Sequence, residues 1–300
     1  MISICIPVYN NYVYPLVRRL VNQMKNITAE EFEVVCIDNH SSGYYANQNK
    51  GVAELATYLT VGKTIGMNQL RNLFIGHSKG DYLLYVDSAA SVPDLYLKNY
   101  IKQVAKNPAV VVGGLLFDEG LADTEHALRY QYAVSIECLA ADKRRSDPYR
   151  HITVGNVMVR RDVMEKARFD ESVSKYGYDG ILFGYSLEQN HIPVTHIDNA
   201  VVIKQCEDNA EFLHKTVESV ENIAEIYDNM WEDQRFCQVV PLLKRYGRVR
   251  RMGMQGMVYT IFKMFKNPME SHFVRGNGIS MGQFKFYKLG LLIKQIHYNN

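Results

Sequence analysis

The chain has 300 residues, an apolar content of 47%, 34 Lys and Arg against 32 Asp and Glu, and five cysteines. That length and apolar share predict a globular chain with a full core, as one large α/β domain or two smaller ones, and no repeat or low-complexity tract argues otherwise. The net charge of +2 conceals an asymmetry, because residues 244–300 carry 11 basic side chains and one acid, Glu270, whereas residues 1–243 carry 23 basic and 31 acidic ones. A basic tail on an acidic body suits an anionic surface, and a simply solvated tail is the plain alternative.

Strand-like runs at 2–8, 33–38, 82–87 and 109–115 alternate with helical patterns around 14–24, 68–77 and 95–106. Alternation of that kind predicts a mainly parallel sheet flanked by helices. Pro15 stands where a first helical turn would begin, and Pro108 closes the third helix before its strand. From Asp118 to His151 the pattern gives way to a charged, aromatic stretch with Lys143-Arg144-Arg145, read as a long loop or lid. A strand at 156–159, a helix from about Arg161, a glycine-rich loop at 176–180, a helix to Asn190 and a strand near 194–197 follow, and 207–231 reads as a long amphipathic helix.

Cys5, Cys36, Cys138, Cys206 and Cys237 are odd in number and form no C-x-x-C pair, which speaks against a disulfide framework or a thiolate zinc site and for a reducing cytosol. The chain enters a strand at once without the charged and apolar segments of a signal peptide, and no apolar run approaches the roughly 18 residues that cross a bilayer. A cytoplasmic protein, peripheral at the inner membrane face if attached at all, is the expectation. His40, His77, His151, His191 and His196 never take an H-x-x-x-H or H-E-x-x-H spacing, and no G-x-G-x-x-G occurs, so neither a zinc centre nor a dinucleotide loop is expected.

The most informative run is Gly80 to Ala90. Its apolar strand ends in Asp87, and an acid at the carboxyl end of a parallel strand stands where open α/β sheets bind ligands. The openings Ile4-Cys5-Ile6-Pro7-Val8-Tyr9-Asn10 and Val35-Cys36-Ile37-Asp38-Asn39-His40-Ser41-Ser42 bring two more polar loops to that edge. Tyr9 suits stacking on a base and Asp38 suits a ring N–H or a ribose hydroxyl, while Asn10 and Asp38 equally suit turn caps. Gly66-Met67-Asn68-Gln69-Leu70-Arg71 opens a helix whose free N–H groups and Arg71 suit a phosphate, a surface ion pair being the alternative for Arg71.

Together with Tyr176-Gly177-Tyr178-Asp179-Gly180-Ile181-Leu182-Phe183-Gly184, these motifs resemble a family 2 glycosyltransferase of the GT-A fold over residues 1 to about 215. The resemblance implies a domain at 1–215, with a nucleotide-binding half at 1–117 and an acceptor half at 118–215, and a helical basic extension at 216–300. It implies transfer of a sugar from a nucleotide-diphosphate sugar, with UDP-sugar first in expectation, to a glycan or lipid-linked acceptor, commonly with inversion. It places Pro7, Tyr9, Asn10, Asp38, Asn39, Arg71 and Asp87 around the nucleotide, makes Asp87 the ligand of Mn2+ or Mg2+, and leaves Asp179 as the base. The chemistry agrees: a departing diphosphate develops charge that a divalent cation on hard oxygen ligands offsets, and the attacking hydroxyl needs a carboxylate to take its proton.

The chain departs from that pattern at four places. Asp87-Ser88-Ala89 keeps the first acid of a DxD and lacks the second, Asp179-Gly180 replaces Glu-Asp, Ala200-Val201-Val202-Ile203 after His196-Ile197-Asp198-Asn199 holds no His where the family often places one, and Asn39 replaces the second acid of its turn. These changes raise a second class, a catalytically degenerate member that binds a ligand or partner without turnover. A nucleotidyltransferase, which would release pyrophosphate, is a third. In the tail, Lys244, Arg245, Arg248, Arg250 and Arg251 precede Met254, Met257, Val258, Ile261, Phe262 and Phe265 at helical spacing. The stretch 244–266 therefore reads as a helix in an anionic membrane interface or as one packed on its own domain, and no motif supports nucleic acid.

Overall fold

The structure is a computed structural model that describes residues 1–27, 31–173 and 175–298. In chain order its first elements are β1 (Ile2–Val8), α1 (Tyr14–Lys25), β2 (Phe32–Asp38), α2 (Gly43–Gln48), β3 (Thr57–Thr60), α3 (Met67–His77), β4 (Tyr82–Val86), β5 (Ala90–Ser91), α4 (Tyr96–Val104), β6 (Val110–Val112) and β7 (Leu115–Phe117). They continue with α5 (Ala127–Tyr132), α6 (Ala141–Arg145), β8 (Asn156–Arg160), α7 (Arg161–Lys166), α8 (Asp179–Gln189), β9 (Val194–His196) and β10 (Val201–Ile203). Four long or medium helices and one short one end the chain: α9 (Asn209–Met230), α10 (Gln234–Val239), α11 (Pro241–Arg251), α12 (Gln255–Arg275) and α13 (Met281–Tyr298).

Two compact units divide these elements, one of residues 1–118, 137–174 and 182–204, the other of residues 119–136, 175–181 and 205–300. The first holds a seven-stranded sheet in the order β3-β2-β1-β4-β8-β6-β9 and a three-stranded sheet in the order β5-β10-β7. β3, β2, β1 and β4 run parallel, β8 is antiparallel to both β4 and β6, and β9 is parallel to β6. The fold is thus the mixed, mainly parallel sheet flanked by helices that the alternation predicts. β4 is buried at every residue, as a central strand covered on both faces must be, and so reads as an unbroken apolar run. Its Tyr85 packs edge-on against Phe74 of α3 and Phe169. In α1, Leu16, Val17 and Leu20 make the buried stripe after a proline at the helix start.

Two regions differ from the sequence expectation. The stretch 118–151 is largely helical, with a 3-10 turn at Glu119–Leu121, α5, a π turn at Ala133–Glu137 and α6. Arg144, expected in a lid, is 2% exposed. It donates to the carbonyls of Leu139, Val112, Gly113 and Ile197 and to Nδ1 of His196, so its five donors tie α6 to the ends of β6 and β9 and none is left for a ligand. Arg145 likewise donates to the His196 carbonyl. The expected strand at 109–115 is divided by Gly113-Gly114 into β6 and β7, which belong to different sheets.

The second unit is a helical assembly around aromatic rings. Phe273 meets Phe284 and Tyr287 at 5.4 and 5.7 Å, Phe262 meets Tyr287 at 5.8 Å, and Tyr132 meets Phe212 at 5.4 Å. Asp208 caps α9 by accepting from the Glu211 N–H at 2.8 Å. The basic stretch 244–266 is two helices broken at 252–254, and Val258 and Phe262 of its apolar set are buried, whereas Met257, Ile261, Met264 and Phe265 are exposed. Among the described residues no helix is long and apolar enough to cross a membrane.

Candidate functional site

The parallel register brings the tips of β1, β2 and β4 to one edge, with Val8 beside Asp38 and Cys5 beside Tyr85. The β1–β4 pairing ends at Cys5 and Tyr85, and β4 runs on through Val86 to Asp87 at its tip. The loops at this edge are joined by side-chain hydrogen bonds. The Asn10 N–H donates to Ser41 Oγ and the Ser42 N–H donates to Asn10 Oδ1, both at 2.8 Å, while Asn11 Nδ2 donates to Ser88 Oγ at 3.2 Å. Asn10 and His40 both adopt the left-handed region, with φ of 46° and 60°, where Asn and His are tolerated better than bulkier residues. The edge is therefore held in a defined shape before any ligand arrives, and Tyr9, 47% exposed, stands beside it as an open ring.

Asp38 is buried, and both its oxygens accept hydrogen bonds, Oδ1 from the Ser41 N–H at 2.7 Å and Oδ2 from the Tyr58 hydroxyl at 2.5 Å. Burial first, and then the bond to Asp38, push the Tyr58 phenol well above its ordinary range, so it stays a donor. Asn39 is also buried and clamps Ile65 at both backbone polar groups, accepting from its N–H at 2.9 Å and donating to its carbonyl at 2.8 Å. That clamp fixes the residue before Gly66, the cap of α3, and so sets where α3 begins. One turn into α3, Arg71 donates to Asn68 Oδ1 at 2.9 Å and lies over the Phe169 ring at 5.5 Å.

Asp87 is the exposed carboxylate of the edge. Its N–H donates to the Gly155 carbonyl at 2.9 Å, and its Oδ1 accepts from the Ala89 N–H at 2.8 Å, which closes the turn into β5. Gly155 is required there, since a Cβ would lie 2.8 Å from that of Asp87. Beneath the turn, Asn156 opens β8 and is fully buried: its Oδ1 accepts from the hydroxyls of Tyr96 and Tyr100, each at 2.7 Å, and its Nδ2 donates to the carbonyls of Gly114 and Asn199. Pro7, Tyr9, Asn10, Asp38, Asn39, Arg71 and Asp87 thus all belong to the first unit, six of them at the strand tips and Arg71 on α3. Tyr58, Asn11, Ser88, Gly155 and Asn156 join them, and sequence reasoning missed these. Asn11 was signalled by its place after Asn10, whereas nothing in the sequence pairs Tyr58 with Asp38.

Asp179 belongs to the second unit's share of the chain, half-buried in the first turn of α8, where a carboxylate is favoured by the helix N-terminus. Gly177 and Tyr178 before it both have positive φ, 94° and 67°. Asn222 of α9 steadies that turn by donating to the carbonyls of Lys175 and Gly177, at 3.3 and 3.1 Å. A divalent cation fits the edge poorly by donor set: Asp87 brings one carboxylate, Ala89 none, and among the described residues no three His, Cys, Asp or Glu side chains gather to hold a metal.

A sequence model described as glycosyl transferase family 2 matches residues 3–168, just over half of the chain and all of this edge. The chain belongs to that family. No curated protein matches it in sequence. Among solved structures, this family 2 chain is similar to a mannosyltransferase from Pyrobaculum calidifontis in complex with GDP-Man and Mn2+, at 13% identity and a TM-score of 0.57, covering 100% of this chain and 88% of that one. It is similar to residues 1–349 of S. aureus TarS in complex with UDP-GlcNAc, at 15% identity and a TM-score of 0.52, covering 91% and 89%. A glucosyl-3-phosphoglycerate synthase from Mycobacterium tuberculosis, solved with Mg2+ and UDP, matches at 11% identity and a TM-score of 0.52 over 76% and 78%. The chain spans about half, 49%, of the longer TarS chain. At these identities the likeness is one of fold, and it agrees with the GT-A reading.

Proposed function

We propose that the chain transfers a sugar from a nucleoside-diphosphate sugar, a UDP-sugar first in expectation, to a hydroxyl of a glycan or lipid-linked acceptor, with inversion. The observation that carries this reading is the exposed Asp87 at the tip of a fully buried strand, on the same sheet edge as two polar loops locked together by Asn10, Ser41 and Ser42, in a chain of this family. Tyr9 offers its ring to the base, Arg71 its guanidinium to phosphate, and the buried Asp38 and Asn39 hold the loops in register. The acceptor oxygen bonds to the anomeric carbon as the bond from that carbon to the diphosphate oxygen breaks, and the acceptor proton passes to a carboxylate, the role that the resemblance gives to Asp179. Asp87, the one acid left at the DxD positions, would be the residue to hold Mn2+ or Mg2+. When bound, the ion supplies charge to the departing diphosphate.

The acceptor and membrane attachment belong to this same proposal. Met257, Ile261, Met264 and Phe265 leave an exposed apolar band on α12, and α11 carries exposed Lys244, Arg248 and Arg251 at i, i+4 and i+7. A basic stripe and an apolar band on successive helices suit an anionic lipid face. Replacing Met257, Ile261 and Met264 together by Ser should abolish co-flotation with phosphatidylserine vesicles, and unaltered flotation would remove α12 from the contact. The donor reading is tested by incubating the protein with UDP- and GDP-sugars and candidate glycans and following the nucleotide product. Release of UDP or GDP that Asp87→Asn lowers at least about 10-fold supports it, and release of pyrophosphate from a nucleoside triphosphate would replace it with nucleotidyl transfer.

A further inference from the structure

The chain has lost the second carboxylate of its DxD, and the small sheet shows what faces the vacated position. β10 pairs antiparallel with β5, with Val202 opposite Ser91 and Ile203 opposite Ala90. The ladder ends at that pair: Lys204 is the next residue beyond Ile203, and Ala89, at the place of the missing acid, is the residue just before Ala90. On its other side β10 runs parallel to β7, with Ile203 beside Phe117, and the Asp118 N–H donates to the Ile203 carbonyl at 2.9 Å, so the strand end that delivers Lys204 is pinned from both flanks. The facing turn is pinned as well, by the Ala89 N–H on Asp87 Oδ1, the Ala90 N–H on the Asp87 carbonyl and the Asn11 amide on Ser88. Lys204 is exposed, and among the described residues its side chain makes no hydrogen bond or ion pair.

We propose that Lys204 supplies the positive charge for the donor diphosphate that the family resemblance assigns to a metal ion, so that this chain binds its nucleotide without requiring a divalent cation. The inference rests on the donor-site reading above. An ammonium on a flexible four-carbon stem is a point charge with three donors, suited to phosphate oxygens and not to a metal. The two changes act in one direction. Ala89 brings no ligand, and a cation carried at the end of β10 repels a divalent ion while attracting the anion that the ion would have served. Asp87 leaves metal assistance optional, because a single carboxylate with substrate phosphates still admits a hydrated ion. The sequence hid this arrangement, since Ala89 and Lys204 are 115 positions apart and are brought near only by the pairing of the adjacent strands β5 and β10.

The test is calorimetric titration of the full chain with UDP and with GDP, each in EDTA and in Mn2+, for the wild type, Lys204→Met and Lys204→Glu. The wild type should bind nucleotide in EDTA. Lys204→Met should weaken that binding about 10- to 100-fold, the loss of one charged hydrogen bond to phosphate. Lys204→Glu should abolish binding in EDTA and restore it in Mn2+, because a second carboxylate then faces Asp87; this gain cannot come from a damaged fold. Nucleotide binding by the wild type that occurs in Mn2+ alone, or binding in EDTA that Lys204→Met leaves unchanged, overturns the role of Lys204 and leaves the donor site standing. No nucleotide binding by the wild type in either condition overturns the donor-site reading and this inference with it.

Discussion

The strand-tip edge of the first unit and the ring cluster of the second are stabilised by different physics. At the edge, order comes from a few directional bonds between side chains and backbone: Asn39 on Ile65, Asn10 on Ser42, Tyr58 and Ser41 on Asp38, Asn156 on two carbonyls. In the second unit it comes mainly from non-directional burial of rings such as Phe262, Phe273, Phe284 and Tyr287. Directional bonds fix loop geometry to fractions of an ångström but fail singly, because a lost partner leaves a buried polar group unsatisfied. Ring packing tolerates exchange of polar groups but not of volume. The difference teaches where each unit is vulnerable.

The largest expected effect is on the directional side. Arg144→Met would strand the carbonyls of Leu139, Val112, Gly113 and Ile197, at a cost on the order of 3–5 kcal/mol in urea unfolding. A change under about 1 kcal/mol would show that the arginine's bonds are replaceable by water. Next comes acidity. His196 is buried, accepts at Nδ1 from Arg144 and meets the Pro148 carbonyl through Nε2, and burial, with Arg144 adding to it, holds its pKa down at about 4 against the usual 6.5. Since the unfolded chain takes up that proton first, the contribution is full above pH 6.5 and is lost as pH falls towards 4, by up to about 3 kcal/mol. His196→Gln should flatten unfolding free energy across that window, and an unchanged slope there would assign the pH dependence to other groups.

A third prediction strikes the packed side. A Cβ on Gly290 of α13 would lie 2.2 Å from the Phe262 ring, so Gly290→Ala should cost about 1–3 kcal/mol by overpacking. Its UDP affinity, measured at a temperature where it remains folded, should match the wild type; a parallel loss of affinity would break the separation of the two regions. The smallest effect is expected from Tyr58→Phe, which removes one of two donors to Asp38 for about 1–2 kcal/mol. Nucleotide binding should weaken with it, because the β2 loop loses an anchor, and unchanged affinity would confine Tyr58 to stability.

Much of the fold was legible because its signals are local. The apolar run at β4, the polar tips after β1 and β2, and the cap at Gly66 each lie within about ten residues, and they led to Pro7, Tyr9, Asn10, Asp38, Asn39, Arg71 and Asp87. The stretch 118–151 was misread because its helices are short and charged, and their burial depends on distant partners: Arg144 looks like a surface cation until the ends of β6 and β9 surround it. The tail was half legible, since helical spacing gave the apolar set of α12 but not which of Val258, Phe262, Met257 and Ile261 would be covered by α13.

The sequence by itself determined the alternation of strands and helices, the family, and the acids absent from Ala89 and Gly180, because residue type and short-range spacing carry those facts. Only the tertiary structure decided that Arg144 is a buried strut, that Asp38 has both oxygens engaged by Ser41 and Tyr58, and that β10, which leads into Lys204, pairs with β5 just after Ala89. Each of these depends on strand pairing and burial between segments far apart in the chain, and pairing of that kind is fixed by the whole core, not by any window of residues.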